Sequence, residues 1–249
     1  MTQKWMAASF GVLVVTILTA SGTARADAAG DKVLATMDAA LNRAKTLTFT
    51  YEVFNQEPGK AERKLEMTLK FKGDKRLGEF LAPADMKGTK VLIMSPTQMY
   101  VFLPSFGKVR RIASHSGEQS FLGLAFSQDD LATASYSGNY TGQIASQTPT
   151  QWKLTATPKA GQTTTYSKIT FTVPKDKALP TEIQYFDAAG TNIKTESRSN
   201  YTCEGNVCSP TEVKMVNNPQ GHSTRLVRKS WKVNEAIPDD VFSTRSLEE

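Results

Sequence analysis

The chain has 249 residues, of which 30 are Lys or Arg, 24 are Asp or Glu, and 39% are hydrophobic. A chain of this size can bury a sizeable core, in one large β-type domain or two small ones. Its formal charge of +6 is mild and its bases are scattered, which argues against nucleic acid as a partner.

The N-terminus starts with one positive charge, Lys4. An apolar run follows from Trp5 to Leu18, interrupted by Ser9, Gly11 and Thr16, and small residues then lead to Ala24-Arg25-Ala26. Charged start, apolar middle and an A-x-A exit predict a secretory signal over residues 1–26, cut after Ala26. The apolar run is shorter than the roughly 20 residues that cross a bilayer, and no Cys near the cut offers a lipid anchor. Lys4 and Arg25 leave with the signal, so the mature charge falls to +4. Residues 27–249 are expected to form one domain, soluble in the periplasm.

The mature chain opens on an amphipathic helix, about Asp31 to Ala44. Val33, Leu34, Met37, Leu41 and Ala44 there recur near a 3.6-residue period. Strand signals follow. Leu47, Phe49, Tyr51 and Val53 alternate with more polar positions, and Leu65, Met67, Leu69 and Phe71 alternate with Glu66, Thr68, Lys70 and Lys72. Further strands are predicted near Arg76–Leu81, Thr89–Met94, Gln98–Leu103, Val109–Ala113 and Gln151–Ala156. Period two recurs at Ile169, Phe171 and Val173 and at Ile183 and Tyr185. The last strands are predicted at Ile193–Tyr201, Thr211–Val216 and Thr224–Val233. Between the predicted strands Val109–Ala113 and Gln151–Ala156 lies a Ser-, Gly- and Ala-rich stretch, Ser114 to Tyr140, read as a loop region. Within it Ser127-Gln128-Asp129-Asp130 has the capping-box pattern and predicts a short helix near Gln128–Ala134. About eleven short alternating strands in series predict an antiparallel barrel, half-barrel or sandwich.

The two cysteines, Cys203 and Cys208, flank Glu204-Gly205-Asn206-Val207. In an exported chain an even pair reads as a disulfide. The Gly-Asn centre predicts a hairpin tip that brings the two within bridging distance.

A series of segments resembles a known family. Met86-Lys87-Gly88-Thr89-Lys90-Val91-Leu92-Ile93 leads to Met99-Tyr100-Val101-Phe102-Leu103-Pro104. Gly107-Lys108-Val109-Arg110-Arg111-Ile112 comes next, then Ser120-Phe121-Leu122-Gly123 with Phe126-Ser127 and Asp130-Leu131. With Val233-Asn234, Ile237-Pro238-Asp239 and Val241-Phe242, the series is similar to the outer-membrane lipoprotein-sorting proteins, the LolA-like group. One departure is Gly123-Leu124-Ala125-Phe126, where the resemblance would place an acid before the Phe. The resemblance implies an α+β fold: a curved antiparallel half-barrel with a helical lid or plug around an apolar cavity. It also implies a periplasmic carrier that binds a lipid or lipoprotein acyl chain. A second reading, of another class, is an accessory docking module of an inner-membrane exporter of the resistance-nodulation-division type, with no cargo of its own.

On this reading the cavity-lining candidates are Phe49, Tyr51, Leu65, Met67, Leu69, Phe71, Tyr100, Phe102, Phe121, Phe126, Phe171, Tyr185 and Trp231. Alternation alone says that such side chains are inside, and a packed core predicts the same pattern. Arg110 and Arg111 could meet a phosphate or carboxylate head group, or could blunt a strand edge with charge. Successive strand side chains point to opposite faces, so at most one of the two faces a cavity. No catalytic constellation, metal set or cofactor motif can be assembled. His115 and His222 both lie in turn-like sequence and are read as solvated. Asp129 and Asp130 are explained by helix capping.

Overall fold

The protein is described here by a computed structural model covering residues 27–113 and 120–249. The expected signal, its cleavage site and His115 lie outside the described residues.

Helix α1 spans Ala28–Leu41, starting three residues before the predicted point. Asp27 caps it, accepting from the Ala29 N–H at 3.1 Å, and Ala28-Ala29-Gly30 carries no large apolar side chain to extend the periodic signal. At its end both the N–H and the side-chain amide of Asn42 donate back to the Asp38 carbonyl, which stops the helix before Ala44. Val33, Leu34, Met37 and Ala40 form the buried face.

Among the described residues thirteen strands build one antiparallel sheet, rather than about eleven. In chain order they are β1 Thr46–Gln56, β2 Arg63–Lys72, β3 Lys75–Ala82, β4 Lys90–Ser95, β5 Gln98–Leu103 and β6 Lys108–Ile112. After the crossing segment come β7 Tyr140–Gln147, β8 Gln151–Pro158, β9 Lys168–Pro174, β10 Glu182–Phe186, β11 Asn192–Glu204, β12 Val207–Asn217 and β13 His222–Val233. The chain begins mid-sheet at β1 and zigzags out to β6 at one edge. It then crosses to β7 at the other edge and zigzags back until β13 pairs with β1. The sheet is curved and unclosed. In the crossing segment, helix α2 spans Gln128–Ala132, and the predicted capping box of Ser127 and Asp130 is present.

The strand with no sequence signal is β7. Its sequence, YTGQIASQ, is small and polar, and an edge strand of that kind has little to pack. Helix α1 secures it. The Gly142 N–H donates to Asp31 at 2.6 Å and the Ile144 N–H to Asp27 at 3.2 Å, so carboxylates cover donors that an edge leaves open. Gly30 and Gly142 let the backbones touch: a Cβ on Gly142 would lie 2.5 Å from the Gly30 carbonyl oxygen.

Phase along β1 and β2 follows the alternation. Phe49 stands opposite Leu69 and Trp231, and Val53 opposite Leu65 and Leu226. The main core gathers these with Leu34 and Met37 of α1 and with Ile169, Phe171 and Val173 of β9. In β5 the phase is the reverse of that expected. Met99 and Val101 pair with Ile93 and Val91 and face inward. Tyr100, opposite Leu92, packs with Phe102 under Phe242 and Leu247 on the outer face. The run Met99–Leu103 is apolar throughout, so no polar position marks its outer side. The C-terminal 3₁₀ turns Asp239–Phe242 and Arg245–Leu247 cover that patch. At the β11–β12 tip Cys203 and Cys208 stand opposite each other and are bonded, with Gly205 at φ +60° in the turn.

Candidate functional site

The inner face of the sheet is partly filled. Between β1–β4 on one side and the crossing segment on the other lies a cleft of about 320 Å³, within the range of small-molecule sites, about 300–1,000 Å³. Its apolar wall includes Phe49 and Tyr51 of β1, Met67, Leu69 and Phe71 of β2, and Phe80, Val91 and Ile93 of β3 and β4. Gly78 helps to keep it open: a Cβ there would meet the Leu69 side chain at 3.0 Å. Phe121, Leu124 and Phe126 of the crossing segment face this wall, and Tyr185 of β10 joins from the far side.

Of the thirteen cavity candidates, eight therefore meet at one cleft: Phe49, Tyr51, Met67, Leu69, Phe71, Phe121, Phe126 and Tyr185. The other five are placed elsewhere. Leu65 and Phe171 are closed into the main core, Phe171 edge-on to Tyr136 at 4.9 Å. Trp231 stacks on Phe49 at 6.2 Å, beside the cleft, under the Arg228 guanidinium. Tyr100 and Phe102 are on the outer face. Arg110 and Arg111 are both exposed on edge strand β6 and neither lines the cleft. Arg110 stacks on Phe106, and Arg111 donates to the Thr97 carbonyl at 3.0 Å. Their geometry is that of a charged edge.

The opposite end of the cleft is polar, which the alternation did not predict. The inward positions of β11 are Lys194 and Glu196, with Arg198 next on the same face. Arg198 Nε donates to Glu196 at 2.6 Å, and the Tyr185 hydroxyl donates to the same carboxylate at 2.9 Å. Burial opposes the Arg198 charge, but Glu196 and nearby tyrosines outweigh it and hold its pKa well above the ordinary value. Burial raises Tyr136 and Tyr185, with Glu196 adding to both, and it raises Tyr201 to about 12. These hydroxyls stay protonated. Arg76 enters from β3. Its guanidinium donates to the Leu131 and Thr133 carbonyls at the end of α2, while burial lowers its pKa. Three charged residues at 194, 196 and 198, alternating with Thr195 and Ser197, were the sequence signal for this end.

Buried polar contacts tie the crossing segment down at several points. The Asp38 carboxylate of α1 accepts from the Tyr136 and Ser137 N–H groups and the Ser135 hydroxyl, at 2.7–3.0 Å. Asp130 closes its capping box and also pairs with Lys194 at 2.6 Å, with the Tyr166 hydroxyl donating to it. Asp130 is thus more than a cap. Near Phe121–Phe126, Asn55 of β1 donates to the Gly123 carbonyl at 2.9 Å, and the Ala125 N–H donates to Thr224 Oγ1 at 2.8 Å. The Thr224 hydroxyl donates to Asn55 Oδ1 at 2.6 Å, and His222 Nε2 lies 2.9 Å from the same oxygen and must also donate. His222, read as solvated, is buried. The turn ends one residue earlier, and His222 opens β13. Burial lowers its pKa.

Among the described residues no cluster of three or more His, Cys, Asp or Glu could hold a metal, and no helix is long and apolar enough to cross a membrane. A family model described as "uncharacterized protein" matches residues 72–249, and the chain belongs to that family. No curated protein matches the sequence. Solved structures do. A candidate outer membrane lipoprotein-sorting protein domain from Vibrio parahaemolyticus superposes with a TM-score of 0.80 at 22% identity, over 89% of this chain and 99% of that one. A DUF1329 family protein from Desulfovibrio piger gives 0.80 at 23%, over 88% and 98%. A LolA superfamily protein from Nitrosomonas europaea gives 0.70 at 20%, over 86% and 97%. The fold is LolA-like.

Proposed function

We propose that this LolA-like chain is a periplasmic carrier that holds an apolar chain, from a lipid or an acylated lipoprotein, in the cleft beneath its crossing segment. The observation that carries the reading is the cleft itself: a mostly apolar volume kept open on the concave face, where a protein interior is ordinarily close-packed. The signal-like residues 1–26 support export, and the names of the structural neighbours support lipoprotein sorting as the setting. Binding would rest on burial of methylenes, at about 0.8 kcal/mol each, with Phe49, Tyr51, Met67, Leu69, Phe71, Phe121, Phe126 and Tyr185 in contact. Release then requires a partner or a shape change, since burial on that scale is slow to reverse. No covalent chemistry enters. No feature of the fold favours the exporter-docking reading.

Native mass spectrometry of protein purified from periplasm tests this directly, with co-purifying lipid expected. Leu69→Glu is the companion variant. Leu69 lies mid-strand, half-buried on the cleft wall, so its carboxylate can keep water while the apolar chain loses its seat. The expected outcome is a folded protein by circular dichroism that no longer binds a fluorescent fatty acid. A clean apo mass together with a Leu69→Glu variant that binds like wild type would refute the reading.

A further inference from the structure

We infer that the cleft selects a cargo with an anionic head, a carboxylate or a phosphate, seated at Arg76. The inference rests on the carrier reading and narrows it. The polar end of the cleft holds two guanidinium groups, Arg76 and Arg198, and the Arg198 charge acts on that of Arg76. It holds two carboxylates, and both are taken: Glu196 by Arg198 and Asp130 by Lys194. Asp74, which also acts on Arg76 through space, stands exposed in the β2–β3 turn and outside the cleft lining. Among the described residues no carboxylate lies within ion-pairing distance of Arg76.

The Arg76 guanidinium is placed rather than neutralised. Two backbone carbonyls accept from it, and it lies over the ring of Phe71, itself a cleft residue, at 5.6 Å. Its Nε is buried without an acceptor. Arg76 is half-buried, and a partly desolvated cation is stabilised by an anion that pairs with it; a guanidinium matches the planar fork of a carboxylate or the oxygens of a phosphate. The apolar wall begins at Phe71 and runs through Leu69, Met67 and Phe49, so a head at Arg76 leaves its chain lying along that wall. A neutral acylated cargo would bring no charge to pair with Arg76.

The test compares heads on one chain. Delipidated protein is loaded with the neutral dye N-phenyl-1-naphthylamine, which is then displaced at pH 8 by oleic acid, oleyl alcohol or oleoyl lysophosphatidic acid. The expected result is displacement by an acidic lipid at a concentration at least tenfold below that of the alcohol, the scale of one hydrogen bond to a charged group. Carboxylate preference identifies a fatty acid as the cargo class, and phosphate preference a phospholipid. Arg76→Met should abolish the preference while the alcohol still displaces dye, and Arg76→Lys should restore part of it. Equal displacement by acid and alcohol in the wild type would overturn the inference and leave the carrier reading standing, and this comparison needs no variant to fold. A preference that survives in Arg76→Met would also overturn it. Failure of the wild type to take up dye or any of the three lipids would defeat the carrier reading itself.

Discussion

Replacing Asp38 by Ala should loosen the crossing segment by an amount that its hydrogen bonds set. The carboxylate is 6% exposed. It accepts the Tyr136 N–H at 3.0 Å, the Ser137 N–H at 2.7 Å and the Ser135 hydroxyl at 2.7 Å. Ser135 is exposed, so its hydroxyl can turn to water at little cost. The Tyr136 N–H is buried and would lose its partner outright. Ser137 lies between the two cases. A hydrogen bond to a charged group is worth about 1.5–3 kcal/mol. One such bond lost in full and a second lost in part give about 3 kcal/mol, after allowing for relief of the buried charge. A domain stable by about 5–15 kcal/mol should survive that loss. Asp38→Asn keeps one acceptor oxygen but turns an amide NH₂ toward backbone donors, so it should recover only part of the difference. Urea unfolding of the three proteins measures this. Fatty-acid binding should weaken in step, because Tyr136 is a wall of the cleft. An Asp38→Ala protein destabilised by less than about 1 kcal/mol would refute the view that this carboxylate anchors the segment.

Gly142→Ala should lower the melting temperature clearly, because its Cβ would meet the backbone of Gly30 at 2.5 Å and backbone cannot give way cheaply; overpacking of this kind costs about 1–3 kcal/mol. A melting point within error of wild type would show that α1 and β7 are not held face to face. Acid should destabilise the protein through His222. Burial lowers its pKa, so the unfolded chain takes the proton more readily, and the stability this His contributes is present above about pH 6.5. It is lost as pH falls below that value. Measured between pH 7.5 and 5.5, unfolding free energy should slope less in His222→Gln than in wild type, and parallel slopes would rule the effect out. Replacing Cys203 and Cys208 together by Ser should cost about 2 kcal/mol, the chain-entropy value for so short a loop. Free thiols in denatured, unreduced protein would show that the bond is absent.

Much of the fold was legible because its rules are local. Alternation at Phe49–Val53 and Leu65–Phe71, the capping box at Ser127 and Asp130, and the Gly-Asn hairpin between Cys203 and Cys208 each depend on residues a few positions apart. Strand β7 was not legible, because nothing in YTGQIASQ favours a strand until α1 supplies carboxylates for its donors and Gly30 a surface to touch. His222 was misread for a similar reason: its partner Asn55 reaches it only when β13 closes against β1.

Sequence by itself determined the period of the sheet, the caps, the bridge and the pool of apolar side chains from which the cleft draws. Tertiary structure alone decided which members of that pool meet. It turned Tyr100 and Phe102 outward under the C-terminal turns, and it brought Arg76, Glu196 and Arg198 to one end of a cleft that hydrophobic patterning would fill with core. Periodicity records that a residue has an inside, since each strand obeys its own backbone geometry. What stands on that inside, and whether it leaves a space, depends on where the crossing segment comes to rest. That position is set by contacts between residues far apart in the chain.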